Sequence, residues 1–316
     1  MILITGSLGQ IGVDLIRELT SIHGADSIVA TDLREPGTLN LGNVTFRLLD
    51  VTDVNELNQL LSEYEFNTVY HLAGILSAKG EENPDLCWKV NVEGLTNVLK
   101  AAREHSFRVF WPSSIAVFGS TTEKTMTPQS ARTDPYTMYG VSKTTGELLC
   151  RYYARKFAVD VRSLRFPGII SYAAPPGGGT TDYAVEMFFE ALESGSYECF
   201  VSGETTLPMM YIRDAVKSVV DLMQAKPEDI SVRTSYNITG FSFAAEELAA
   251  EITKHVPDFR CTYNPDFRQK IAGTWPRSIN DSSARKDWGW SPSFKLEGMV
   301  RDMLKQISAI RARSTG

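Results

Sequence analysis

Tyr139 and Lys143 lie four residues apart in Tyr139-Gly-Val-Ser-Lys143, at the start of a stretch with apolar residues at helical spacing. Residues at this separation share one face of a helix, so a phenol and an ammonium can project into the same cleft. A tyrosine with an ordinary pKa of about 10 is a poor base at neutral pH, and a neighbouring ammonium favours the phenolate and lowers that pKa. The pair therefore predicts a proton acceptor, although ordinary surface helices show the same spacing.

Ser114 adds a hydroxyl at the end of the apolar stretch 107–112, in Ser113-Ser114-Ile-Ala-Val-Phe-Gly119. The stretch is typical of a buried strand, which would place this hydroxyl at the carboxyl edge of a sheet. A serine there can hydrogen-bond the oxygen of an alcohol or carbonyl substrate and hold it near Tyr139. A capping or turn serine is the alternative interpretation.

A glycine-rich turn precedes this set and would position a cofactor beside it. The apolar residues 1–5 are followed by Gly6, Gly9 and Gly12 and then by a stretch with helical periodicity. Strand, glycine turn and helix in this order let the backbone approach a pyrophosphate, which then faces the free N–H groups of the helix. The spacing differs from Gly-x-Gly-x-x-Gly, so the flanking strand and helix carry the prediction.

Asp32 ends a second apolar stretch, 27–32, and follows Gly12 by 20 residues. A carboxylate at this place accepts hydrogen bonds from the adenosine ribose and repels the 2′-phosphate of NADP. We therefore predict NAD as the cofactor, with a helix-cap or turn aspartate as the alternative. The cationic nicotinamide of NAD would act together with the ammonium of Lys143 to lower the pKa of Tyr139. Arg34 is the one residue nearby that could accommodate a phosphate.

The remaining elements predict an α/β fold. Further strands are expected at 44–49, 68–73 and 160–164, and helices at 53–64, 84–105 and 137–157. Strands that alternate with helices and are mostly apolar indicate a Rossmann-type, doubly wound parallel sheet. We assign residues 1–166 to an NAD-binding domain and 167–316 mainly to a smaller C-terminal α/β substrate lobe. The chain could re-enter the first domain after residue 205.

Composition excludes several classes of function. The 316 residues carry 32 basic and 38 acidic side chains, a net charge of −6, without a basic cluster that would favour nucleic acid. No apolar run has the length of a membrane span, and no leader precedes the first strand, so a cytoplasmic protein is expected. The four cysteines are scattered, which argues for reduced thiols and against a zinc site.

These motifs resemble the extended short-chain dehydrogenase/reductase family over nearly the whole chain. The resemblance rests on Thr5-Gly-Ser-Leu-Gly-Gln-Ile-Gly12, Asp50-Val-Thr-Asp53, His71-Leu-Ala-Gly74, Asn91-Val-Glu-Gly94, Ser113-Ser-Ile-Ala-Val-Phe-Gly119 and Tyr139-x-x-x-Lys143. It implies that Ser114, Tyr139 and Lys143 are the catalytic residues. The departures, among them Gly74 and Phe118 where many members carry Ala and Tyr, do not touch these three.

The predicted NAD site combines the glycine turn with residues at the ends of the other strands. Its members are Gly6, Leu8, Gly9, Gln10, Ile11, Gly12, Asp32, Leu33, Arg34, Asp50, Val51, Leu72, Ala73, Gly74, Asn91, Tyr139, Lys143 and Pro167.

Three longer stretches resemble the L-threonine 3-dehydrogenase branch of the family. They are Pro176-Gly-Gly-Gly-Thr-Thr-Asp-Tyr-Ala184, Leu207-Pro-Met-Met-Tyr-Ile212, and the run from Trp275 to Trp290. This resemblance implies zinc-independent oxidation of L-threonine by NAD to L-2-amino-3-oxobutyrate. The predicted substrate contacts are Ser77, Ser114, Tyr139, Thr180, Thr181 and Trp275. Ordinary turn hydroxyls and a packed core indole are the alternatives for Ser77, the two threonines and Trp275.

Two other functions remain open at this point. A nucleotide-sugar 4-epimerase or dehydratase would share the cofactor and the catalytic set but need a diphosphate groove, for which Arg260, Arg268 and Arg277 could assemble in space. A non-catalytic NAD-sensing protein would retain the fold without the chemistry. The two long helices, 84–105 and 137–157, carry more apolar surface than is needed to cover one face of the sheet. Related enzymes pair such helices between subunits. We therefore predict a homodimer, whichever function applies.

Overall fold

The structure is a computed structural model that describes residues 1–37, 39–173 and 177–314. In the described residues the strands are β1 (Ile2–Thr5), β2 (Ile28–Asp32), β3 (Thr45–Leu48), β4 (Thr68–His71), β5 (Arg108–Ser114), β6 (Val161–Phe166), β7 (Gly168–Ile170), β8 (Ser196–Cys199), β9 (Thr206–Tyr211), β10 (Tyr236–Asn237), β11 (Phe241–Ala244) and β12 (Arg260–Tyr263). The helices are α1 (Gln10–His23), α2 (Val54–Glu63), α3 (Ser77–Glu82), α4 (Pro84–Trp88), α5 (Leu95–His105), α6 (Met138–Phe157), α7 (Tyr183–Glu193), α8 (Ile212–Gln224), α9 (Ala245–Thr253), α10 (Phe267–Thr274), α11 (Ser282–Trp288) and α12 (Leu296–Ser314).

A seven-stranded sheet forms the centre of the molecule, in the order β10-β6-β5-β4-β1-β2-β3, and all its paired strands are parallel. Every residue of β1, β4 and β6 is buried, as expected for strands covered by helices on both faces. The predicted Rossmann-type parallel sheet is therefore confirmed. Because all strands point the same way, their carboxyl ends form one edge, where ligands of such sheets bind.

The chain after residue 166 contributes to several layers. Strand β10 pairs with β6 at the edge of the central sheet, and helix α8 packs on α1. A small sheet has the order β11-β9-β7, and β12 pairs with β8. Helices α7, α9 and α12 pack against one another beside these small sheets. Pro175 and part of the stretch Pro176–Ala184 lie outside the described residues.

The helix predicted at 84–105 is interrupted. Helix α4 passes into a π-helical segment, Lys89–Gly94, before α5 begins at Leu95. At Gly94 a Cβ atom would lie 2.9 Å from Cγ2 of Val51, so the close contact of this turn with Val51 requires glycine. Single π turns of this kind are frequent at functional sites, and this one carries Asn91.

None of the described helices combines the length and apolar character that a bilayer crossing requires. Cys87, Cys150 and Cys199 are buried free thiols, and Cys261 is partly buried and also free. Burial raises the pKa of the Cys150 thiol, as it does that of Cys87. These thiols are therefore inert packing groups rather than thiolates.

Candidate active site

Tyr139 lies in the first turn of α6, where two contacts fix the helix start. The Thr137 hydroxyl accepts the backbone N–H of Gly140 at 3.1 Å, and the Glu81 carboxylate accepts that of Met138 at 2.7 Å. Ser114 ends β5 at the same edge of the sheet, and its hydroxyl accepts from the Ala116 amide at 3.2 Å. Helix α6 and strand β5 therefore deliver the phenol and the serine hydroxyl to one cleft.

The protein alone raises the pKa of Tyr139 above its ordinary value. Burial raises this pKa to about 12, and a hydrogen bond with the Ser114 side chain opposes the rise. The ammonium of Lys143 lies 5.5 Å from the centre of the Tyr139 ring. Desolvation of the phenolate is the largest cause of the shift, so the neighbouring ammonium does not by itself bring the pKa below its ordinary value.

Lys143 is 5% exposed, and its side chain contacts two residues of β5. Its Nζ donates to the carbonyl oxygen of Pro112 at 2.7 Å and lies 4.6 Å from the ring centre of Trp111. Burial lowers the lysine pKa to about 8, so the side chain still carries its charge at neutral pH. An ammonium has three donors, which leaves two for a ligand after the contact with Pro112.

The glycine turn forms a cradle that has no space for side chains. Gly6 has a φ of +64°, and a Cβ there would lie 2.5 Å from the Ala73 nitrogen. A Cβ at Gly12 would lie 2.5 Å from the Ser7 oxygen. Helix α1 begins just after this turn, with Gly9 as its N-cap and no side-chain cap. The free N–H groups at the start of α1 can therefore face a pyrophosphate.

Two buried polar atoms beside the cradle lack a partner among the described residues. They are the hydroxyl oxygen of Ser7 and Nε2 of Gln10. Buried polar atoms without a partner are uncommon in native proteins and often mark a ligand or water position. The cradle and these atoms fit the diphosphate part of a dinucleotide.

Asp32 supplies a carboxylate at the end of β2. Its Oδ2 accepts the Leu8 amide at 3.1 Å, which ties the end of β2 to the glycine turn. Its Oδ1 lies 3.8 Å from Nε of Arg34, whose side chain is 75% exposed. Leu33 is 70% exposed beside them. The Asp32 carboxylate therefore lies at the carboxyl edge of the sheet, beside the glycine turn.

The other predicted cofactor residues follow the remaining strands of the same edge. Asp50 and Val51 follow β3, Leu72, Ala73 and Gly74 follow β4, and Pro167 follows β6. The Asp50 carboxylate accepts the amide and hydroxyl of Thr52, both at 2.8 Å, so it also shapes its own turn.

Asn91 reaches this edge from the π-helical segment. Its Oδ1 accepts the Ile75 amide at 2.8 Å, and its Nδ2 donates to the Ile75 carbonyl at 3.0 Å and to the Ser142 hydroxyl at 3.1 Å. The amide is thus already engaged with protein groups. Asn91 therefore fixes the backbone of the loop after Gly74, and this loop lies at the edge of the cleft.

Two of the predicted substrate residues contact each other directly. The hydroxyls of Ser77 and Thr180 lie 2.9 Å apart, and the Thr180 amide donates to the Ser77 hydroxyl at 3.1 Å. Both side chains are buried, at 3% and 1% exposure. Thr181 is next in the chain and is partly buried. Trp275 is 5% exposed and packs in the hydrophobic core, and no described contact joins it to Ser77 or Thr180.

Residues 2–239 match the model of the NAD dependent epimerase/dehydratase family. The chain belongs to this family. An uncharacterized epimerase/dehydratase from Staphylococcus haemolyticus is 46% identical over 308 residues, which are 97% of this chain and 97% of that protein. The crystal structure of an L-threonine dehydrogenase from Phytophthora infestans is 49% identical with a TM-score of 0.94, covering 98% of this chain and 99% of the other. A monomeric L-threonine 3-dehydrogenase from a metagenome is also 49% identical, with a TM-score of 0.95 and the same coverage.

Two groups that contact Lys143 in this cleft were not predicted from the sequence. The Pro112 carbonyl that binds Lys143 is a backbone atom. Trp111 lies on the opposite strand face from its neighbours and reads in the sequence as an ordinary core residue. The one sequence signal for both groups is that they lie on an apolar strand that ends in serine.

Proposed function

We propose that this chain is an NAD-dependent L-threonine 3-dehydrogenase, which oxidises L-threonine at C3 to L-2-amino-3-oxobutyrate in threonine catabolism toward glycine. The main support is that Ser114, Tyr139 and Lys143 lie together at the sheet edge that carries the glycine turn. In addition, the chain is 49% identical, over 98% of its length, to an L-threonine dehydrogenase of known structure. Several other solved structures at 42–49% identity bear the same activity in their names.

The proton is handled by three side chains in this proposal. The Ser114 hydroxyl hydrogen-bonds the substrate oxygen at C3, and the Tyr139 phenolate takes the hydroxyl proton as the carbonyl forms. The positive charge of Lys143 supports the phenolate, and its free donors can hold a ribose hydroxyl. When bound, NAD supplies the acceptor for the hydride that leaves C3. The products are the ketone, NADH and one proton.

The residues that bind NAD are proposed from the cradle and the sheet edge. The glycine turn faces the diphosphate and Asp32 faces the adenosine ribose. A carboxylate at this place repels a 2′-phosphate, which supports NAD over NADP. Arg34 is 75% exposed and its Nε lies 3.8 Å from Oδ1 of Asp32, so the carboxylate offsets part of its charge.

Ser77, Thr180 and Thr181 are proposed to contact the carboxylate and ammonium of threonine, with Trp275 as a wall of the site. Support comes from the buried hydroxyl pair of Ser77 and Thr180, which closes α3 onto the start of α7. Buried hydroxyls can discriminate polar ligands strongly, since a ligand that cannot match them leaves them unpaired.

The epimerase alternative has less support from the arginines. Arg268 forms an ion pair with Asp266 at 2.7 Å and stacks on the Phe200 ring, and Arg260 donates to the Pro257 and Phe259 carbonyls. These contacts engage two of the three guanidinium groups that a diphosphate groove would need, and the third residue, Arg277, is exposed.

We also propose a homodimer and a cytoplasmic location. Val141, Leu148 and Tyr152 form an apolar stripe on one face of α6, exposed by 37%, 50% and 53%. Trp88 on α4, 38% exposed, extends the patch. A monomeric relative exists, so the dimer rests on this surface alone.

The test is NADH formation at 340 nm with NAD and a panel of L-threonine, L-allo-threonine, L-serine and UDP-glucose. We expect turnover with L-threonine and none with the nucleotide sugar. If none of the three amino acids gives a rise in absorbance, the proposed function is contradicted. Conversion of UDP-glucose without net NADH, followed by chromatography, favours the epimerase.

A further inference from the structure

Glu147 and Arg165 form a buried ion pair directly behind the catalytic residues. Oε1 of Glu147 accepts Nε of Arg165, and Oε2 accepts Nη2, both at 2.7 Å. The side chains are 3% and 5% exposed. Oε1 also accepts the Ser113 hydroxyl at 2.7 Å, so one carboxylate joins α6, β6 and β5.

Glu147 shares one face of α6 with Tyr139 and Lys143. Glu147 follows Lys143 by four residues and Tyr139 by eight, and these spacings keep all three on the inner face of α6. Ser113 is the residue directly before Ser114. The carboxylate of Glu147 therefore ties the strand that carries the serine to the helix that carries the tyrosine and lysine.

Arg165 also contacts β10 and the segment between β5 and α6. Nη1 of Arg165 donates to Oδ1 of Asn237 at 3.1 Å and to the Gln129 carbonyl at 3.2 Å. Its guanidinium also lies 5.1 Å from the ring centre of Phe118, in the loop after Ser114. The guanidinium fork thus fixes β10 and the loop beyond β5 relative to Glu147.

Stability alone does not account for this arrangement. Burying two charges costs desolvation energy, and apolar residues of similar volume often stabilise a core equally well. A planar fork with bidentate hydrogen bonds adds geometric specificity that apolar packing lacks.

We propose that Glu147 and Arg165 are positioning residues, which hold the end of β5 and helix α6 in the register that proton transfer requires. The inference rests on the proposed function, because it concerns the same reaction. A misplacement of about 1 Å at reacting groups can lower a rate roughly a hundredfold, so a modest shift of β5 against α6 is sufficient to impair turnover.

The test compares Arg165→Lys with Arg162→Lys. Arg162 is a matched control: it is also buried on β6 and pairs with Asp160 at 2.9 Å, but its other donors go to carbonyls near the end of α8. We expect Arg165→Lys to lower kcat at least tenfold with KM for NAD within twofold, and to displace the pH profile of kcat. We expect Arg162→Lys, corrected for the folded fraction, to retain the wild-type kcat and pH profile. Equal kcat and pH profiles for the two variants overturn the proposal.

A second variant covers the case in which Arg165→Lys does not fold. Glu147→Leu combined with Arg165→Met replaces the pair by apolar groups, and its fold is checked by circular dichroism and thermal unfolding. We expect a folded protein that binds NADH, as followed by fluorescence, with kcat still reduced at least tenfold. A folded double variant with the wild-type kcat and pH profile contradicts a positioning role.

A readout without substrate separates this inference from the proposed function. The titration of Tyr139, followed by NMR of ¹³C-labelled tyrosine and assigned with Tyr139→Phe, is expected to shift in Arg165→Lys and not in Arg162→Lys. If the wild type fails to oxidise threonine, the proposed function is wrong, and this titration still decides the positioning role. An unchanged titration in Arg165→Lys then overturns it.

Discussion

The hydroxyl groups of Ser77 and Thr180 lie 2.9 Å apart although 103 residues separate them in the chain. The pair joins the start of α3 to the segment before α7. Because both side chains are buried, this contact gives the cleft two polar groups of defined orientation on the side where the substrate is proposed to bind. Its strength and its effect on substrate binding can be measured separately.

We expect Ser77→Ala and Thr180→Val each to lower the free energy of unfolding by about 1 kcal/mol, because each removes the buried hydrogen bond between the two hydroxyls. The double variant is expected to lose less than the sum, since the two residues share one contact. Each single variant also raises KM for threonine while KM for NAD stays unchanged. Additive losses measured by urea unfolding contradict the coupling.

Tyr139→Phe is expected to lower turnover at least a thousandfold and to leave NAD binding nearly intact, because it removes only the proton acceptor. In the wild type, NADH formation is expected to rise with pH from 6 toward 8, because burial raises the pKa of Tyr139 to about 12 and each pH unit increases the phenolate fraction. Near pH 8 the rise is expected to slow as Lys143 loses its charge. A flat rate between pH 6 and 8 argues against the phenolate as base.

His71 predicts a loss of stability in acid. Its ring is fully buried at the end of β4, Nδ1 bonds the Thr5 hydroxyl at 2.8 Å, and burial lowers its pKa from 6.5 to about 3. Between these values the unfolded chain binds a proton that the folded protein does not, so stability falls as pH falls below 6.5. The loss at pH 5 is about 2 kcal/mol.

The measurement is urea unfolding at pH 7 and pH 5. His71→Asn cannot take up this proton and is expected to show a smaller loss than the wild type. His23→Asn, at an exposed position, is the control and is expected to lose as much as the wild type. Equal losses in all three proteins exclude His71 as the cause.

Leu148→Glu is expected to convert the proposed dimer to a monomer, because it places a charge in the middle of the apolar stripe on α6. Light scattering at micromolar concentration gives the mass. Ile22→Glu is the matched control, since Ile22 is 42% exposed on α1, away from the stripe. A monomeric wild type contradicts the dimer directly, and a dimeric Leu148→Glu excludes this face as the interface.

The central sheet was predictable because its first six strands are short apolar runs that end in turns or helices along the chain. Strand β9 was not predicted, since it contains Pro208 and two methionines and depends on partners far away in sequence. Its Met209 pairs with Gly168 of β7 and with Phe241 of β11. Tertiary pairing here overrides weak local propensity.

The candidate site shows the same division. The spacing of Tyr139 and Lys143 predicted that these two residues act together, because a helix fixes residues four apart on one face. The pKa of Tyr139 could not be read from that spacing, since it depends on burial by distant elements. The engagement of Asn91 with Ile75 was equally hidden, because it follows from a π turn that apolar periodicity does not reveal.

Strand β10 has a consequence for how the protein is made. The edge of β6 stays open after residue 166 leaves the ribosome, because its partner strand lies about 70 residues later, a delay of roughly 4 to 14 s at bacterial or eukaryotic synthesis rates. During this interval the nascent chain exposes an unpaired strand edge and the face of α1 that α8 will cover. The central sheet is therefore complete only late in translation, and we expect a chain that terminates between these points to aggregate more readily than the full chain.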